Sequence, residues 1–257
     1  MKISILTLFP QMFDGFLTNS IIKRAITKEA VEIRTIDIRD YTKDRYHRVD
    51  TPPVGGGAGL IMKAQPIIDA IKDIKNNDTH IVLLSPRGNK YSQKTAKKLA
   101  KCQDLVLICG HYEGIDERVN SYVNEEISIG DFILTGGEIA AMAIADSVIR
   151  LQEGAIASES LDEESFENGM LEYPQYTEPY VFEGSKVPDI LYSGNHTAIN
   201  KWRRKQSLVL TRKYRPDLFA KLQLSKNDFK LLQEVDENIQ PDWEKKALEK
   251  GAKFIKK

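Results

Sequence analysis

Five short runs of apolar, β-branched residues, separated by stretches with helical spacing, constrain this chain more than any other feature. The runs cover residues 3–9, 31–38, 80–85, 104–109 and 127–134. Helical periodicity occupies 15–28, 66–75, 92–101 and 137–151 between them. A strand that is apolar along its whole length, rather than at alternate positions, is covered on both faces. The pattern therefore predicts an α/β fold, a mostly parallel sheet with helices on both faces.

In such sheets ligands bind outside the carboxyl ends of the strands, so the loops there matter most. Three follow apolar runs: Ser85-Pro86-Arg87-Gly88, Cys109-Gly110-His111-Tyr112-Glu113-Gly114, and Ile129-Gly130-Asp131 through Gly136-Gly137-Glu138. Glycine there lets backbone N–H and C=O groups touch a ligand directly. Three such loops from one sheet predict a pocket for a small, flat, polar cofactor such as an adenine nucleoside. A fourth glycine-rich segment, Gly55-Gly56-Gly57-Ala58-Gly59, is followed by Leu60-Ile61 rather than the Gly-Lys-Ser/Thr of a P-loop. Met62 stands where a dinucleotide fingerprint needs its third glycine, so this segment reads as a tight turn.

Charge divides the rest of the chain. Residues 158–183 hold eight acids and no Lys or Arg. Residues 184–215 reverse the sign, with eight bases against Asp189 alone, a balance of +7. The first stretch reads as an acidic linker and the second as a phosphate-contacting surface or a solvated basic face. Beyond it Pro216 suits a first helical turn, and Ser225 with Asp228 has the spacing of a capping box. The expected organisation is a cofactor domain over 1–157, a linker over 158–183 and a small helical domain over 184–257.

Some classes fall away. The whole chain carries 37 basic and 37 acidic residues, so net charge does not point to a partner. The two cysteines, Cys102 and Cys109, cannot build a disulfide framework and read as small buried hydrophobes in a reducing compartment. Residues 1–10 form too brief an apolar run for a signal sequence and read as a buried first strand. No run nears the roughly 20 apolar residues of a membrane span, so a cytoplasmic protein without membrane contact is expected.

The loops as they stand resemble those of the bacterial tRNA (guanine-N1)-methyltransferases of the SPOUT class. The matching stretches are Gly55-Gly56-Gly57-Ala58-Gly59, Cys109-Gly110-His111-Tyr112-Glu113-Gly114-Ile115-Asp116-Glu117-Arg118, Ser128-Ile129-Gly130-Asp131 through Gly136-Gly137-Glu138, and Gly194-Asn195-His196 with Trp202-Arg203-Arg204. The resemblance implies a trefoil-knotted sheet domain followed by a small helical domain. It also implies S-adenosylmethionine as methyl donor, tRNA as substrate, a homodimer with shared active sites, and methylation at N1 of the guanine at position 37, next to the anticodon. A Mg²⁺ requirement is compatible with it. Two other readings stay open: an RNA-binding homologue impaired in catalysis, and an enzyme methylating another RNA atom.

Site roles follow from the same resemblance. The cofactor residues it implies are Leu84, Ser85, Pro86 and Gly88; Gly110, Tyr112, Glu113 and Gly114; and Ile129, Gly130, Asp131, Phe132, Ile133, Leu134, Gly136 and Gly137. Glu113 either meets the donor's positive charge or serves as a helix N-terminal acid. Guanine N1 carries a proton and becomes nucleophilic once it leaves, which puts negative charge on O6. The reaction therefore requires a carboxylate near N1 and a cation or hydrogen-bond donor near O6. Arg150 matches the family's guanine-facing arginine, with a helix C-terminal cation as the alternative. Glu164 stands before Ser165-Phe166 where the family carries aspartate, and Glu163 is its neighbouring candidate. For RNA, the resemblance and the basic stretch single out His196, Lys201, Trp202, Arg203, Arg204 and Arg212; Trp202 either stacks a base or belongs to the core. His111, Gln175 and Glu178 replace the arginine, histidine and arginine usual in the family.

Overall fold

The computed structural model describes residues 1–156 and 164–251. The chain divides into two compact units, Met1–Ser158 and Glu159–Lys257. Residues 164–183, the described part of the acidic stretch, fall inside the second unit.

The first unit contains strands β1 (Lys2–Thr7), β2 (Glu32–Asp37), β3 (Asp50–Thr51), β4 (Ile61–Met62), β5 (Thr79–Lys90), β6 (Asp104–Ile108) and β7 (Glu125–Ser128). Its helices are α1 (Asp14–Thr18), α2 (Ser20–Thr27), α3 (Ala64–Ile74), α4 (Gln93–Leu99) and α5 (Glu138–Ile149). Five strands pair in parallel in the order β2-β1-β6-β5-β7, and β3 with β4 forms a separate antiparallel pair. Adjacent residues of one strand point to opposite faces. Val82 and Leu84 accordingly join Leu105, Leu107 and the α5 residues Ala141, Ile144 and Val148. Ile81 and Leu83 join Val106, Ile108 and the α3 residues Ile67 and Ile71 on the other side. The double cover read from unbroken apolar runs is present.

Three boundaries differ from expectation. The last strand ends at Ser128 rather than residue 134. There Gly130 takes φ +156° and the Ser128 side chain hydrogen-bonds both its carbonyl (3.1 Å) and its N–H (3.3 Å), which turns the chain out of the sheet. Strand β5 runs on to Lys90, because after a register shift between Leu84 and Asn89 it pairs with β7 again. A Cβ at Gly88 would lie 2.4 Å from the Ile127 nitrogen, so this return requires glycine. The expected helix over 15–28 breaks at Asn19, which is extended (φ −127°, ψ 160°) and spends its side-chain amide on the Gly15 carbonyl. Cys109 is buried as expected, whereas Cys102 lies past α4 and is only half-buried.

The second unit holds a short hairpin, β8 (Val181–Phe182) with β9 (Ser185–Lys186), and helices α6 (His196–Tyr214), α7 (Pro216–Phe219), α8 (Lys226–Asp236) and α9 (Asp242–Gly251). Pro216 opens α7, and Ser225 with Asp228 forms the capping box at α8, both as the sequence predicts. Two small apolar clusters hold the unit together. Met170, Leu208, Leu231 and Leu232 form one; Ile190, Ala198, Trp202 and Ala247 form the other.

Candidate active site

Strands β6, β5 and β7 lie side by side, so the three glycine-bearing loops at their carboxyl ends converge. They enclose a cavity of about 670 Å³. Leu84, Ser85 and Pro86 line it from the first loop, and Gly110, Tyr112, Glu113 and Gly114 from the second. The third loop contributes Ile129, Gly130, Phe132, Ile133, Leu134, Gly136 and Gly137. Two expected positions stay out of the lining. Gly88 is spent on the return of β5 to β7, and Asp131 is exposed and paired with Lys90 at 3.1 Å.

The second and third loops are stitched together by main chain. Gly137 N–H donates to the Gly110 carbonyl (2.9 Å), and His111 bridges Gly136 in antiparallel fashion. A Cβ at Gly137 would lie 2.7 Å from Cys109 Cα, so the close approach of α5 to β6 excludes any side chain there. Beneath this seam the Glu138 carboxylate, 1% exposed, accepts from the Thr7 hydroxyl (2.7 Å) and meets His111 Nε2 (2.7 Å). Burial, followed by the Glu138 charge, pushes the Cys109 thiol well above its usual range, leaving it a poor nucleophile.

The glycine-rich turn at residues 55–59 abuts the second loop. Glu113 N–H donates to the Leu60 carbonyl (3.0 Å), and a Cβ at Gly59 would lie 2.3 Å from Glu113 Cγ. No helix starts at Glu113. The next helical turn, Glu117–Tyr122, is capped by Asp116, which removes the helix-terminal alternative for Glu113.

Two lining residues, Arg87 and Glu117, lie in the quoted stretches but have no role predicted from the sequence. Arg87 Nη1 donates to Glu117 (2.9 Å) and Nη2 to Glu126 (3.3 Å), tying the first loop to the rim, and Arg87 holds the Glu117 carboxyl below its usual range. Glu117 lies thirty residues further along the chain, and no local spacing links the two.

Arg150 caps the carboxyl end of α5 and does not line the cavity. The twelve-residue helix between it and Gly137 spans about 18 Å at 1.5 Å per residue. Glu164 is half-buried in the second unit, where it lines a hollow of about 170 Å³ with Asn168, Tyr173, Asn200, Arg203 and Arg204. Glu163 lies outside the described residues.

The candidate RNA residues differ sharply in availability. His196 is exposed at the start of α6, and Lys201 is half-buried, its Nζ 5.7 Å from the centre of the Trp243 ring. Trp202 is 6% exposed among Ile190, Ala198 and Ala247, which is the core alternative. Arg203 stacks over Tyr173 at 4.7 Å. Arg204 makes a two-point contact with Asp228 (2.8 and 3.0 Å), and Arg212 does the same with Asp236 (2.7 and 3.1 Å). Gln175 donates to Glu172 (2.6 Å), and Glu178 accepts from the Tyr192 hydroxyl (3.1 Å). Among the described residues no group of three or more His, Cys, Asp or Glu side chains is placed to hold a metal ion. No described helix is long and apolar enough to cross a membrane.

Comparison with known proteins gives a consistent result. The profile of the family described as tRNA (Guanine-1)-methyltransferase TrmD matches residues 1–221. A tRNA (guanine-N(1)-)-methyltransferase of Clostridium botulinum (strain Kyoto / Type A2) is 52% identical over 241 residues, covering 93% of this chain and 100% of that protein. The proteins of the same name from Clostridium novyi (strain NT) and Clostridium perfringens (strain 13 / Type A) are 56% and 55% identical. The first covers 91% of this chain and 97% of its own; the second covers 90% and 99%.

Proposed function

Because the chain belongs to the tRNA (guanine-1)-methyltransferase family, we propose that it transfers a methyl group from S-adenosylmethionine to N1 of a guanine in tRNA, at position 37 beside the anticodon. The observation that carries this reading is the cavity of about 670 Å³ lined by glycine-bearing loops at the tips of three adjacent parallel strands. Its size and its mix of apolar walls and glycine amides suit a nucleoside-bearing donor.

When bound, S-adenosylmethionine supplies a methyl carbon on a positively charged sulfur that leaves as a neutral thioether. The chain's own residues do the rest. Gly110, Gly114, Gly136 and Gly137 hold the donor through backbone groups, and Ile129, Ile133 and Leu134 cover it. Glu164 takes the N1 proton of guanine as the N1 lone pair bonds to the methyl carbon. Arg150 offsets the charge that develops on O6. Glutamate in place of aspartate carries the carboxylate on one more methylene, which its loop must accommodate.

Arg150 sits about 18 Å along α5 from the donor wall of its own chain, and this supports a site completed by a second copy. Phe132, Ile133 and Ile139 offer an apolar face for it, at 54%, 81% and 52% exposure. We assign the family's trefoil knot to the donor loops, residues 1–157 to donor binding, the acidic stretch 158–183, whose residues 164–183 belong to the second unit, to the catalytic acid, and 184–257 to tRNA, with the work done in the cytoplasm. His196, exposed, and Lys201, half-buried, are the best-placed RNA contacts, with Trp202, Arg203, Arg204 and Arg212 as further candidates. Mg²⁺ would be held here through one or two carboxylates, waters and substrate oxygens, an arrangement that needs no group of three protein ligands.

Methylation of a purified tRNA transcript, with the product nucleoside mapped by mass spectrometry, tests the proposal. We expect 1-methylguanosine from the wild type, loss of turnover in Glu164→Ala, and retained turnover in Glu164→Asp. A ribose methyl, or donor and tRNA binding without turnover, would overturn it.

A further inference from the structure

The first donor loop leaves the sheet and returns to it at the same partner. Strand β5 pairs with Ile127 of β7 at Leu84 and again at Asn89, so residues 85–88 form an excursion between two fixed points. Ser85 and Pro86, at its start, wall the donor cavity. Within the excursion the Arg87 N–H donates to Ser85 Oγ (3.2 Å). The Arg87 side chain reaches other elements. Its Nη1 donates to Glu117 on the helical turn after the second loop (2.9 Å), and its Nη2 to Glu126 on β7 (3.3 Å).

The two carboxylates are neighbours on a second count. Asn120 Nδ2 donates to Glu117 (2.8 Å) and to Glu126 (3.1 Å), so both acids crowd one amide nitrogen. Asn120 is neutral, and Arg87 is the cation that meets both acids. Glu126 Oε2 is buried and has no hydrogen-bond partner among the described residues, so this acid depends on what its other oxygen meets. Arg87 and Glu117 have side chains 60% and 71% exposed, so their pair adds little to global stability. Its effect is local. Without the guanidinium, two like charges share one side of the rim, and the excursion loses its tie to both of them.

We propose that Arg87 is a positioning residue for donor binding: its two-point bridge offsets the charges of Glu117 and Glu126 and so holds the wall at Ser85 and Pro86 against the rest of the cavity. The inference rests on the donor-site reading above. Arg87 acts through the loop and not on the reacting atoms. A lysine supplies the charge but not the planar fork that meets two acids at once.

Calorimetric and stopped-flow binding of S-adenosylmethionine and of S-adenosylhomocysteine to the full-length protein test this role. The second ligand lacks the sulfonium charge, so an effect common to both is not attraction between the rim and that charge. Arg87→Ala should weaken both ligands about fivefold, chiefly through faster dissociation, and Arg87→Lys should fall between it and the wild type. Glu126 lies outside the cavity lining, so adding Glu126→Gln to Arg87→Ala relieves the repulsion without touching a ligand. This double variant should recover both affinities to within about twofold of wild type. Affinities within about twofold of wild type in Arg87→Ala itself overturn the inference and leave the donor site standing. A loss that Glu126→Gln leaves unrepaired overturns it too, because Arg87 would then act by touching the ligand. Binding of neither ligand by the wild type overturns the donor-site reading as well.

Discussion

Replacing Gly137 by alanine tests whether the seam between the second and third loops controls the proposed donor pocket. Gly137 has φ −81° and ψ −7°, a conformation open to any L-residue, so backbone strain does not contribute. Its added methyl would meet Cys109 Cα at 2.7 Å and the Gly110 nitrogen at 3.0 Å. Both are backbone atoms that cannot rotate away. Restoring an ordinary 3.4 Å contact drives the start of α5 from β6 by about 0.7 Å, and the third loop moves with it. Overpacking of this kind costs about 1–3 kcal/mol, a fall of several degrees in Tm for a domain of this size. A displacement approaching 1 Å across a positioned reactant can cost about a hundredfold in rate. We expect donor affinity to drop at least about tenfold by calorimetry, with a larger loss in single-turnover methyl transfer. Gly15→Ala is the control, because a Cβ there meets nothing within 4 Å. Donor binding within threefold of wild type at an unchanged Tm in Gly137→Ala would refute the reasoning.

Three more predictions concern the second unit. The Arg204 guanidinium and the Ser225 contacts hold the Asp228 carboxyl at about 2, against an ordinary 3.8. A depressed folded value contributes stability above the unfolded value and loses it as pH falls, so Asp228→Asn should cost about 2 kcal/mol at pH 7 and progressively less from about pH 5 downward; a pH-independent difference in chemical denaturation would contradict this. Lys205 is 7% exposed between Glu234 (3.3 Å) and Glu244 (3.2 Å), so Lys205→Met should lower stability by about 1–3 kcal/mol, and adding Glu234→Gln and Glu244→Gln should restore most of it in thermal melts. Lys201→Ala should weaken tRNA binding and reduce the slope of log affinity against log salt by about one; an unchanged slope would remove Lys201 from the phosphate contacts.

How far the fold could be read in advance depended on what each residue faces. Strands β1 and β6 are buried along nearly their whole length because helices cover both sides, and their mostly apolar runs announce themselves. Strand β7 is an edge strand that starts with Glu125 and Glu126, whose acids are met by His80 (2.7 Å), Lys98 (3.0 Å) and Arg87 (3.3 Å). The apolar residues after it belong to a cavity wall, so a hydrophobic run placed the strand too late. The basic stretch misled in a different way. Counting over 184–215 suggested a free +7, whereas Arg204, Lys205 and Arg212 meet acids at 228, 234, 236 and 244, beyond the counted window. The glycine loops were visible because main chain has to come close there. The Arg87–Glu117 tie and the Glu138–His111 pair join residues far apart in sequence, and no periodicity encodes such pairs.

Walls made from peptide groups also govern how this pocket can change over generations. A side chain that contacts a ligand can be exchanged through a single codon, but an amide N–H is common to nearly every residue. At Gly136 and Gly137 even a methyl collides with its neighbours, so the protein has little freedom to redesign that surface while still folding. A competitive inhibitor that bonded chiefly to these amides would leave few one-step routes to resistance. Escape would have to come through the exchangeable apolar rim at Phe132 and Ile133.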